Sequence, residues 1–144
     1  MVIERFRWWH VEQVLGLERE LFGVEPWTAH HFWSELGQTA TRYYVVALSD
    51  SDVVGYAGLC DYPDEAFVQT MAVAAGQQGK GLGAALLENL LEEAARRGQT
   101  RTLLEVRADN AVAQRLYGRH GFAKTGVRRG YYPGGVDAWV MERT

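Results

Sequence analysis

Between Leu82 and Ala95 the residues Leu86, Leu87, Leu90, Leu91 and Ala94 recur at the three- and four-residue spacing of one helical face, while Glu88, Asn89, Glu92 and Glu93 fall elsewhere. The pattern predicts an amphipathic helix that Gly98 stops. Another helix is predicted from Trp9, Val11, Val14, Leu15, Leu17, Leu21 and Phe22, broken by Gly23-Val24-Glu25-Pro26. Thr28 suits the N-cap of a short helix through Leu36, and Asn110 to His120 reads as a fourth, ended by Gly121. Stretches rich in β-branched and aromatic residues predict strands at Val2 to Arg7, Arg42 to Leu48, Val53 to Tyr62, Ala66 to Val73, Thr100 to Arg107, Phe122 to Tyr132 and Val136 to Met141. Ser49-Asp50-Ser51-Asp52 and Pro63-Asp64 supply turns, so the first half reads as an antiparallel meander. The strand, helix, strand order that follows implies a locally parallel pair. The expected fold class is α/β with a mixed sheet.

The helix at Leu82 is entered through Gln78-Gly79-Lys80-Gly81-Leu82-Gly83. Three glycines in five residues allow backbone angles that other residues avoid, and they let a ligand approach the main chain. The unpaired N–H groups of the first helical turn then favour an anion such as phosphate. A Walker loop needs Ser or Thr after its Gly-Lys, where this chain has Gly81. The dinucleotide fingerprint needs G-x-G-x-x-G directly after a strand, and here G-x-G-x-G follows Ala74-Ala75-Gly76-Gln77. An ordinary strand-to-helix turn is the alternative.

Bulk properties narrow the classes. With 144 residues, 47% of them apolar, the chain is expected to form one domain, 1–144. No apolar run has the length of a membrane span and Met1 to Arg5 lacks a signal-peptide core, so a cytoplasmic protein is expected. The net charge of −3 argues against a sequence-blind nucleic-acid binder and is compatible with a basic polypeptide partner. The lone Cys60 lies in an apolar strand pattern and reads as core. His30 and His31 are adjacent, which is poor ligand spacing, and His10 and His120 are isolated, so no metal site is expected.

Three side chains carry candidate chemistry. Glu105 sits in Leu103-Leu104-Glu105-Val106, where a carboxylate is costly unless paired, hydrated or used. Period two sets it on the face opposite Leu104 and Val106, in alternation with Arg107; a salt bridge to an arginine is the bland alternative to catalysis. Tyr117 shares a helical face with Ala113 and Leu116, a spacing that also fits a core tyrosine. Asn110, after Asp109, is a good N-cap.

Taken together, Gln78-x-x-Gly81-x-Gly83 before an amphipathic helix, Leu104-Glu105-Val106-Arg107, Asn110-x-x-Ala113 and Leu116-Tyr117-x-x-x-Gly121-Phe122 resemble the GNAT N-acetyltransferases in order and spacing. Pro26-Trp27-Thr28, Arg129-Gly130-Tyr131-Tyr132-Pro133 and Asp137-Ala138 look like the RimI type, which acetylates the N-terminal alanine of a small-subunit ribosomal protein. The resemblance implies the acyl-CoA N-acyltransferase fold, a mixed central sheet with helices on both faces, and acetyl-CoA as co-substrate without a metal. It implies that Met71, Ala72 and Val73 meet the pantetheine arm, and that Gly79, Lys80, Gly81, Leu82, Gly83 and Ala84 surround the pyrophosphate. It further implies that Asn110 contacts the cofactor, that Glu105 is the general base and Tyr117 the general acid, and that Trp27, Tyr131 and Tyr132 hold the peptide. Pro133-Gly134-Gly135-Val136-Asp137 is shorter than the family's connection, with Val136 where an acidic residue is common. The rival functions are acetylation of lysine or a small amine, and a non-catalytic acyl-CoA-binding module.

Overall fold

The structure, a computed structural model, describes residues 1–22 and 27–144. The predicted break at Gly23-Val24-Glu25-Pro26 lies outside the described residues. In chain order the elements are β1 (Val2–Arg5), α1 (Val11–Phe22), α2 (Ala29–Leu36), β2 (Arg42–Ser49), β3 (Asp52–Asp61) and β4 (Ala66–Val73). They continue as α3 (Leu82–Arg96), β5 (Thr102–Arg107), α4 (Ala111–Arg119), β6 (Ala123–Tyr132) and β7 (Val136–Arg143). The strands form one sheet in the order β1-β2-β3-β4-β5-β7-β6. Every pairing is antiparallel except β4 with β5, so the meander and the parallel pair both stand.

Each face of the sheet is covered where the sequence supplies an apolar stripe. Leu86, Leu87, Leu90, Leu91 and Ala94 of α3 bury against Val45, Ala57, Leu59, Val68, Leu104 and Val106. Tyr117 of α4 joins the same cluster. On the other face Val11, Val14 and Leu17 of α1 and Phe32 of α2 pack on Tyr44, Val46, Tyr56 and Ala72. Thr28 caps α2 in a reciprocal box with His31: the Thr28 hydroxyl accepts from the His31 amide and the His31 ring accepts from the Thr28 amide.

The N-terminus differs from expectation. The first strand stops at Arg5 rather than Arg7, because Phe6 turns into the core and a 3-10 turn occupies Trp8–His10. The Arg7 amide donates to Nδ1 of His10, which closes that turn and delays α1 to Val11.

Gly58 is fixed by packing. A Cβ there would lie 2.4 Å from the Tyr44 ring, which crosses it on the α1–α2 side. Gly58→Ala is therefore expected to cost about 1–3 kcal/mol, the usual penalty for overpacking. Differential scanning calorimetry should show a melting temperature several degrees lower; an unchanged midpoint would mean the ring moves freely.

Candidate active site

The parallel ladder between β4 and β5 is short. It joins Ala66 to Thr102, Phe67 to Leu103 and Val68 to Leu104, and then the strands part. Beyond that point β4 keeps its ladder to β3, and Glu105, Val106 and Arg107 keep theirs to β7. The facing edges of Met71-Ala72-Val73 and Glu105-Val106-Arg107 are left without a strand between them. Such an edge presents N–H and C=O groups to any extended ligand that carries amides. Met71 and Val73 pack toward α3 and Ala72 is buried on the other face, so the backbone is what this segment offers.

The glycine loop opens at the end of that edge. Gly79 and Gly81 have φ of 75° and 86°, a left-handed backbone that favours glycine, and a Cβ at either would meet open space. Gly81 is the N-cap of α3, with no side-chain cap and no acidic residue in the first turn. The first helical bond runs from the Ala85 amide to the Gly81 carbonyl, so the amides of Leu82, Gly83 and Ala84 have no acceptor within the helix. Lys80 is exposed beside them. Gln78 ties the loop to the strand: its side-chain amide donates to the Val73 carbonyl at 3.1 Å. Leu82 sends its side chain into the core, leaving only its main chain for a ligand. Gly83 has a packing role beyond the one read from sequence, because a Cβ there would stand 3.3 Å from Leu116 of α4.

Glu105 and Tyr117 lie on opposite faces of the sheet. Leu104 and Val106 belong to the cluster under α3, and Glu105 alternates to the other side. There Arg128 of β6 donates to its carboxylate at 2.8 Å, so the salt bridge weighed from sequence is present. The Glu105 side chain is 14% exposed and that of Arg128 is 56% exposed. An open pocket of about 320 Å3 is lined by Tyr62, Phe67, Glu105, Arg128 and Val140. On the α3 side Tyr117 is buried against Phe122, and burial, followed by the nearby Tyr132, pushes its phenol up to about 12. Among the described residues nothing hydrogen-bonds its hydroxyl. Burial first, then Glu105 and Tyr131, holds the Tyr132 phenol above the ordinary value, with Arg107 opposing.

The remaining predicted residues divide. Asn110 caps α4, its Oδ1 accepting from the Ala113 amide at 3.1 Å, and its amide nitrogen has no such duty. Tyr131 and Tyr132 meet edge to face at 5.1 Å, with the Arg128 and Arg107 guanidinium groups over their rings. Trp27 packs instead on His31, Phe32 and Tyr44, and makes no ring contact with either tyrosine. Sequence reasoning missed Arg128, Tyr62, Phe67 and Val140. Their one signal is period two: Glu105 stands opposite Val140, and Arg107, Ala138 and Arg128 form the neighbouring row. Among the described residues no three metal-ligating side chains come together. No helix among them is long and apolar enough to cross a membrane.

Known proteins share this fold. The sequence profile of the Acetyltransferase (GNAT) family matches residues 4–122. Over 133 residues the chain is 42% identical to N-alpha-acetyltransferase RimI of Mycobacterium tuberculosis, a match covering 88% of this chain and 82% of that protein. The crystal structure of the ribosomal-protein-S18-alanine N-acetyltransferase from Escherichia coli superposes with a TM-score of 0.89 at 32% identity, covering 99% of this chain and 92% of that one. The fold alone is shared with the PaiA N-acetyltransferase of Thermoplasma acidophilum in complex with coenzyme A, at a TM-score of 0.82 and 18% identity over 100% of this chain and 99% of that one.

Proposed function

The chain belongs to the acetyltransferase (GNAT) family, and on that premise we propose that it moves acetyl from acetyl-CoA to the α-amine at a protein N-terminus, with Glu105 as base and Tyr117 as acid. One observation carries the chemistry: a carboxylate beside the β4–β5 split and a protonated phenol lie on opposite faces of the sheet. An amine attacking a thioester enters on one side of the acyl carbon and the thiolate departs on another. Glu105, directly or through a water, takes the ammonium proton on the pocket side. Tyr117 donates to the sulfur on the α3 side. A phenol near pKa 12 is a weaker acid than a thiol at about 8.5, so its proton passes to sulfur only as the C–S bond breaks, and the second proton of the attacking nitrogen, lost as the amide forms, restores the phenol. Amine and thioester become amide and thiol, and no covalent enzyme species is needed, so buried Cys60 stands outside the reaction.

The residues present fit acetyl-CoA. The edge of Met71, Ala72 and Val73 suits the amides of the pantetheine arm, and the open amides of Leu82, Gly83 and Ala84 with Lys80 suit the pyrophosphate. Among the described residues nothing engages the Asn110 amide nitrogen, which suits it to the same ligand. Gly81→Val would set a β-branched residue at φ 86° and misalign those amides. Calorimetry is expected to show acetyl-CoA binding weakened about tenfold, equivalent to ~1.4 kcal/mol. Unchanged affinity in the folded variant would remove the loop from the site.

Amine choice follows from protonation. An α-amine of pKa about 7.7–8.0 is roughly a tenth neutral near pH 7, against well under a thousandth for lysine at about 10.4. A carboxylate base suffices for the first. The relatives named for ribosomal-protein alanine support a small N-terminal residue, alanine of a small-subunit ribosomal protein foremost, with Tyr131, Tyr132 and Trp27 bordering the slot. We place the reaction in the cytoplasm and assign residues 1–144 to one catalytic domain. Peptides that begin with free alanine should be acetylated, and blocking the α-amine should abolish transfer even where lysines remain. Label mainly on lysine side chains would overturn the α-amine assignment.

A further inference from the structure

The side chain of Gln69 has no part in the steps above, yet it is fully engaged. The β3–β4 register jumps from Leu59 opposite Val68 to Gly58 opposite Thr70, so Gln69 is the extra residue of a bulge. That bulge directly follows Val68, the last residue of β4 paired with β5. The Gln69 Nε2 donates to Glu35 of α2 at 2.8 Å. Its Oε1 accepts from the Tyr44 hydroxyl at 2.8 Å and from the Cys60 thiol at 2.7 Å. A carboxylate only accepts, so Glu35 fixes which way round the amide lies and obliges Tyr44 and Cys60 to donate. Burial raises the Tyr44 phenol and the Cys60 thiol and keeps both protonated for that role. The other Glu35 oxygen accepts from Arg42. The bare Cα of Gly58 leaves room for the Tyr44 ring that reaches this amide.

We propose that Gln69 is a positioning residue, whose bonds to Glu35, Tyr44 and Cys60 lock the bulge and thereby set the register of the free β4 edge that receives acetyl-CoA. Side chains and edge amides alternate with period two. Without the bulge, the ladder would run on with Gln69 opposite Gly58, every later residue of β4 would shift by one, Met71 and Val73 would turn away from the α3-side core, and the edge amides that face β5 would be reversed. The inference rests on the reading of that edge as the thioester strand.

Gln69→Met keeps the volume and removes all three hydrogen bonds. Its affinity for coenzyme A, measured by calorimetry, is expected to fall about tenfold, with turnover at saturation falling as well. Gln69→Glu should lose as much, because it sets two carboxylates against each other. Adding Glu35→Gln to Gln69→Glu restores every donor and acceptor: the amide at position 35 donates to the carboxylate at position 69 and its oxygen holds Arg42. That double variant should recover to within about threefold of wild type, a coupling that simple space-filling does not produce. Wild-type affinity in a folded Gln69→Met chain, or a double variant no better than Gln69→Glu alone, overturns the inference. Failure of the underlying reading shows separately, as a wild-type chain that does not bind coenzyme A.

Discussion

Glu105→Gln is expected to lower turnover about a hundredfold near pH 6, within the range that acid–base groups supply, and far less near pH 9. Near pH 6 almost all of the substrate amine is protonated, and removal of that proton by a carboxylate limits the rate. Near pH 9 the α-amine is neutral without help, because its pKa is about 7.7–8.0. Glutamine matches glutamate in shape and still accepts from Arg128, whose side chain is mostly in water, so the fold should hold. Coenzyme A affinity should also hold, since Glu105 faces the pocket rather than the glycine loop. Stopped assays from about pH 6 to pH 9 would read the ratio of wild type to variant. A loss equal at every pH would leave Glu105 a binding role and remove it as base.

Tyr117→Phe is expected to lower turnover by a similar factor, with a different pH signature. With its phenol near 12, Tyr117 keeps its proton through the whole working range, so the loss should be flat from about pH 6 to pH 9. Phenylalanine removes only the hydroxyl. Because no described residue bonds that hydroxyl, its removal strands no buried partner and should change stability little. The Michaelis constant for the peptide should change less than turnover, as fits a group that acts on the departing sulfur. A variant with wild-type turnover would end the assignment of Tyr117 as acid.

Much of this arrangement was legible in the residues themselves. The α3 stripe, the Thr28 and Asn110 caps and the side of β5 on which Glu105 lies all follow from period and local chemistry, because each is settled within one element. The Glu105–Arg128 pair was not legible: it spans 23 positions, and its geometry depends on the register of β5 with β7 and of β7 with β6. The bulge left only a faint mark, the two consecutive polar residues Gln69 and Thr70 in a strand otherwise apolar. The need for glycine at position 58 was not legible, because its reason, the Tyr44 ring, comes from the neighbouring strand. Trp27 is assigned to the peptide slot by resemblance alone, and its ring contacts are His31, Phe32 and Tyr44.

On this mechanism the amine and thiol ends of the reaction meet the β4–β5 split from opposite faces. A crystal structure with an alanine-initiated peptide joined through its α-nitrogen to the sulfur of coenzyme A by a two-carbon acetyl bridge tests it most directly. The sulfur is expected within hydrogen-bonding distance of the Tyr117 hydroxyl, the nitrogen on the Glu105 side, and the pantetheine arm along Met71 to Val73. A conjugate bound with its nitrogen and sulfur on the same face, or lying away from the split, would contradict it.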